Sequence, residues 1–137
     1  MLYRAAFDPM HIGNNGVKIS FIKASDFPNG TLSVWRVGGA QSLDHDAAVR
    51  QIRIPVGQQI HAVYAVTAEQ VRKLTVTDVS GQFLCVLDET DTGAGFHPAH
   101  AHISPCRSAL EILKADPDLE LVLRRLLYLA FLQHPVR

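Results

Sequence analysis

The hydrophobic period changes along this chain, and that change restricts the folds open to it. In the first half, apolar residues return at every second position. Val17, Ile19 and Phe21 alternate with Lys18 and Ser20; Leu32, Val34 and Arg36 with Ser33, Trp35 and Val37; Ile52, Ile54 and Val56 with Gln51, Arg53 and Pro55. A period of two predicts strands with one buried face. Ile60 to Val66 is apolar on both faces except for His61, which predicts a more central strand, and Phe83 to Leu87 predicts another buried one. Near the end the period becomes helical: Leu119, Val122, Leu123, Leu126, Leu127, Ala130 and Phe131 share a surface, with Arg124 and Arg125 on the remaining face. An apolar surface that broad places the helix well inside the domain or in a homodimer contact. Strands followed by helices predict an α+β domain with a mainly antiparallel sheet, helices packed on one side and two C-terminal helices.

The 137 residues suit a single domain over 1–137. With 47% hydrophobic residues, a chain of this length buries about two thirds of its unfolded surface. It needs neither metal nor disulfide to fold, so a metal would be functional. Cys85, inside an apolar run, reads as a small buried hydrophobe. A bridge to Cys106 stays open, but two cysteines make no disulfide framework.

Local signals place the boundaries. Asn14-Asn-Gly16 and Pro28-Asn-Gly30 read as turns. Ser42 is placed to cap a short helix running to Arg50. Thr67 and Gln70 form a capping-box pattern for a helix to about Leu74. Asp88 to Gly95 reads as an acidic loop. Ser104-Pro105 and Asp116-Pro117 each read as a cap followed by proline at the first helical position.

Charge narrows the partners. Thirteen basic residues balance thirteen acidic ones, which argues against a nucleic-acid binder working through backbone electrostatics. Lys18, Lys23, Arg36, Arg50 and Arg53 still permit a modest basic patch. No signal-peptide pattern and no run of about 18 apolar residues is present, so the expected setting is cytoplasmic, without a membrane span.

Chemistry concentrates in His97-Pro-Ala-His100-Ala-His102-Ile-Ser104. In an extended segment His100 and His102 share a face; in a helical turn His97 and His100 do. Either pair seats zinc if Asp88, Glu89 or Asp91 joins it; no other cofactor is expected. The plainer alternative is a polar loop whose histidine bonds backbone and caps the next helix. Elsewhere His45, between Asp44 and Asp46, reads as a solvated turn residue, His61 as a satisfied core histidine and His134 as part of a frayed end. Trp35 alternates away from Leu32 and Val34 and is expected at a surface.

Three resemblances bear on these residues. His100-Ala-His102-Ile-Ser104 resembles the H-x-H-x-H signature of histidine-triad nucleotide hydrolases, in which the middle histidine attacks a phosphate; here Pro98 or Ser104 stands where one histidine is required. Tyr3-Arg4 with Ser20 resembles the opening of ADP-ribosyltransferase-like domains, which implies an arginine on a phosphate of NAD. The order Arg4, Val17–Phe21, Leu32-Ser-Val-Trp-Arg36 and His97-x-x-His100-x-x-Ile103 is similar to a loose group of small uncharacterised bacterial proteins with L-S-V-D-R and N-x-x-H-x-x-I patterns. Trp35 and His97 replace the Asp and Asn. This similarity implies a polar set of Arg4, Ser20, Ser33, Arg36 and His100, and no activity.

No Gly-rich phosphate loop, CxxC, HExxH or GxSxG motif is present. Two functions are therefore expected. The first is a binding or interaction module for a small anionic ligand or a protein partner, dimeric through the last helix. The second is an enzyme acting on a nucleotide or phosphate ester, with His100 catalytic and Arg4 or Arg36 holding the anion. The second requires Arg4, Arg36 and His100 to converge.

Overall fold

The structure, a computed structural model, describes residues 1–22, 32–38, 43–76, 81–88 and 97–137. Lys23, the Pro28–Gly30 turn, the Ser42 cap and the acidic stretch from Glu89 lie outside the described residues. Five strands, β1 (Leu2–Asp8), β4 (Leu32–Arg36), β5 (Gln59–Val66), β6 (Leu84–Asp88) and β7 (His100–Pro105), form one antiparallel sheet in the order β5-β1-β4-β7-β6. A small ribbon, β2 (Ile12–Gly13) with β3 (Gly16–Val17), follows β1. The helices are α1 (His45–Gln51), α2 (Ala68–Lys73), α3 (Arg107–Ala115) and α4 (Pro117–Leu132). The fold is α+β, with two helices at its C-terminal end.

Strand alternation divides the sheet into two faces. Leu2, Ala6, Leu32, Val34, Leu84, Ala101 and Ile103 pack with Val71 of α2, Ala109 and Leu113 of α3, and Leu119, Leu123, Leu127 and Phe131 of α4. This is the main core. Tyr3, Ala5, Val63 and Ala65 on the opposite face pack with Ala48 of α1 in a second, smaller one. The inward residues of α4 thus use most of its apolar surface inside the domain, leaving Val122 and Leu129 outward at 43% and 52% exposure. No helix among the described residues is long and apolar enough to cross a membrane.

The structure corrects several sequence expectations. The strand expected over residues 17–21 stops at Val17, the last residue of β3, and Ile19–Phe21 form a 3-10 turn. Its acceptors are met by side chains rather than a ladder. The Arg4 guanidinium donates to the Phe21 carbonyl at 3.1 Å, and Arg124 donates to the Ile22 carbonyl at 3.0 and 3.2 Å. Arg124 is therefore buried, not on an exposed polar face. Residues 52–56 are not a strand either. Pro55 lacks a donor, Gly57 takes a positive φ of 79°, and Val56 is fully exposed in the resulting turn. β5 ends the sheet instead of lying centrally. The tail covers its edge: Ala65 N–H donates to the His134 carbonyl and Val63 N–H to that of Arg137, both at 2.9 Å. His134 is thus ordered, while His61 is exposed on β5. Asp44 caps α1, its carboxylate accepting from Ala47 N–H at 2.7 Å. The Thr67–Gln70 capping box and the Asp116-Pro117 start are as expected. The Ser104-Pro105 start is not, because β7 runs through Pro105 and Cys106 is the N-cap of α3. Cys85 and Cys106 form a disulfide, so Cys85 is not a free hydrophobe.

Inside α4, Glu120 Oε1 lies 3.8 Å from Arg124 Nε and is buried without a hydrogen-bond partner among the described residues. Burial pushes its carboxyl above the ordinary carboxylate range, and Arg124 pulls the other way. The folded state therefore holds this proton more tightly than the unfolded chain does. Its contribution to stability is present below the ordinary carboxylate value and is lost as pH rises through the raised one. Urea unfolding across that window should show this loss, and Glu120→Gln should flatten it; an unchanged slope would remove Glu120 as its source.

Candidate functional site

Only part of the histidine cluster is a loop: His97 precedes a turn, while the other two histidines are in a strand. His100 and His102 belong to β7, between β4 and β6, and alternate with buried Ala101 and Ile103. Trp35 pairs with His100 and Ser33 with His102 across β4–β7. These four side chains share one face, the face of the second core, because directly opposed residues in an antiparallel pair point the same way. Tyr3 continues the row on β1, opposite Trp35.

The rings touch. The Trp35 and His100 centroids are 4.8 Å apart, and His97 stands edge-on to the same indole at 5.8 Å. His100 and His102 meet edge-to-face at 5.0 Å. His97 is fixed from below: its Nδ1 accepts from Ala99 N–H at 3.0 Å, and its carbonyl accepts from His100 N–H at 3.0 Å. Trp35, His97, His100 and His102 are half-buried, and Ser33 is exposed. Among the described residues the second core takes no residue of β6 or β7, and Trp35 packs against its margin.

The cationic candidates lie elsewhere. Arg4 and Arg36 alternate onto the main-core face, with Leu2 and Val34. The Arg4 guanidinium also donates to the Ser33 carbonyl at 3.0 Å and sits 5.4 Å from the centre of the Phe21 ring. Arg36 pairs with Asp88 at 3.0 Å. Ser20 lies in the 3-10 turn, its Oγ buried without a hydrogen-bond partner among the described residues. The structure thus brings Ser33, His97, His100 and His102 together around Trp35 and separates them from Arg4, Arg36 and Ser20.

Among the described residues no group of three or more His, Cys, Asp or Glu side chains is arranged to hold a metal ion. The Trp35 indole contacts both His97 and His100. Glu89 and Asp91, two of the possible zinc partners, lie outside the described residues.

Two histidines are held in ways the sequence reading did not give: His45, expected as a solvated turn residue, is half-buried in α1, and His11 was not among the candidates. His45 is held by Tyr3, whose hydroxyl is 2.9 Å from its Nδ1; burial pushes the Tyr3 phenol up. His11 is 2% exposed, and its Nδ1 accepts from Phe7 N–H at 3.0 Å. Neither partner was legible, since one is set by the fold and the other by a local turn without a motif. No protein-family model, curated protein or solved structure matches the chain.

Proposed function

We propose that the chain is a binding module whose recognition surface is the patch of Trp35, His97, His100 and His102, with Ser33 at its margin. The observation that carries this reading is the contact of one half-buried indole, packed on one side against the second core, with two half-buried imidazoles. An indole offers a flat apolar surface, and imidazoles beside it supply hydrogen bonds or positive charge. The ligand this suits is small, planar and acidic. The enzyme reading has less support, because Arg4 and Arg36 face away from His100 and are engaged with carbonyls and Asp88.

Trp35 is the only tryptophan in the chain, so its emission reports on the patch alone. Titration with benzoate should give a saturable change in that emission. His100→Ala should weaken binding about tenfold, the value of one hydrogen bond of about 1.4 kcal/mol. A response that never saturates, or one unaltered in His100→Ala, would sink the proposal.

A further inference from the structure

Between α1 and the tail that runs along β5 lies an open cleft of about 390 Å³, lined by His45, Asp46, Val49, Arg50 and Arg137. That volume suits a small molecule. Two exposed guanidiniums border it, and neither Arg50 nor Arg137 has an ion pair or side-chain hydrogen bond among the described residues. Both are held at the backbone. The Asp44 cap fixes the start of α1, and the Val63 amide and carbonyl bond the carbonyl and amide of Arg137 at 2.9 and 3.2 Å. The third polar group is His45. Tyr3 engages its Nδ1 at 2.9 Å, which leaves Nε2 as the nitrogen not used by Tyr3. A phenol hydroxyl donates to a neutral imidazole and accepts from a protonated one, so this contact survives either charge state.

We propose that this cleft binds a dianionic oxyanion of the phosphate class, as free phosphate or as the phosphate of a small ester. Arg50 and Arg137 present planar donor forks that match such an anion. His45 adds a further donor, and half-buried Val49 gives the remainder of an ester an apolar wall. Asp46, one helical turn before Arg50, opposes the anion and sets the affinity below what the two guanidiniums would give alone. This site uses none of the side chains of the imidazole–indole patch, so either proposal can fail without the other.

The test is an amide-resolved NMR titration of the full chain with inorganic phosphate, against chloride at equal ionic strength. Saturable shifts should centre on residues 45–50 and 136–137. Arg50→Gln, at an exposed position, should weaken binding at least about tenfold, as expected for loss of a charge-assisted hydrogen bond. Asp46→Asn should tighten it by up to about fivefold, the effect of one exposed charge pair. Phenyl phosphate binding more tightly than phosphate identifies an ester as the ligand; equal or weaker binding identifies free phosphate. Shifts that fail to saturate, that centre elsewhere, or that persist unchanged in Arg50→Gln overturn the proposal.

Discussion

Phe21→Ala is expected to cost about 3–5 kcal/mol of folding stability, the range for deleting a fully buried phenyl ring. Phe21 has no exposed surface. Its ring meets those of His11, Tyr64 and Phe131 at centroid distances of 5.9, 5.7 and 5.7 Å, all steeply inclined. The Arg4 guanidinium lies against the same ring while bonding the Phe21 carbonyl. One side chain therefore joins the 3-10 turn to β1, β5 and α4. Alanine leaves a void between elements too rigid to close it, and strips the ring from a half-buried cation. Urea unfolding should show a lower midpoint with an unchanged slope. A loss under about 1 kcal/mol would mean that the turn is peripheral, and its effect would then resemble that of outward-facing Leu129→Ala.

The same residue shows where sequence reasoning reached its limit. Val17, Ile19 and Phe21 have the spacing of a strand, but a strand also needs a partner for its backbone. Here Arg4 and Arg124 take the carbonyls, the latter from 102 residues away, and no local pattern records such a donor. β4 and α4 were legible because their burial follows their own period, and α2 through its capping box; β5 was legible as a strand, but not its place at the end of the sheet. β7 carries a clear period of two, with Ala101, Ile103 and Pro105 inward and His100, His102 and Ser104 on the other side. Its polar face is made of imidazoles, so composition drew attention away from the alternation. The pairing of His100 and His102 on one face followed from the extended option; the indole between His97 and His100 did not. The cleft was invisible for another reason: residues 45–50 and 137 meet only because the tail pairs with β5.

Reducing the Cys85–Cys106 disulfide should lower stability by about 3 kcal/mol. The two residues are 21 apart in sequence, and closing a loop of that length removes about this much free energy from the unfolded chain's conformational freedom. The native contacts at the bridge do not depend on it. β6 still pairs with β7 from Leu84 to Asp88, Cys106 N–H still donates to the Phe83 carbonyl at 2.8 Å, and α3 still buries Ala109 and Leu113. The reduced protein should therefore keep its fold and melt roughly 10 °C lower, taking about 3–5 °C per kcal/mol for a chain of this size. Cys85→Ala combined with Cys106→Ala should reproduce the same loss without reductant, which separates the bond from any other effect of the reagent. Equal melting of the oxidised, reduced and doubly substituted forms would show that the bridge contributes nothing. The result also bears on the compartment. Cytosolic glutathione keeps thiols reduced, so a cytoplasmic setting would leave this domain in its less stable dithiol form, with β6 held at the sheet's edge by the β7 ladder and side-chain packing alone.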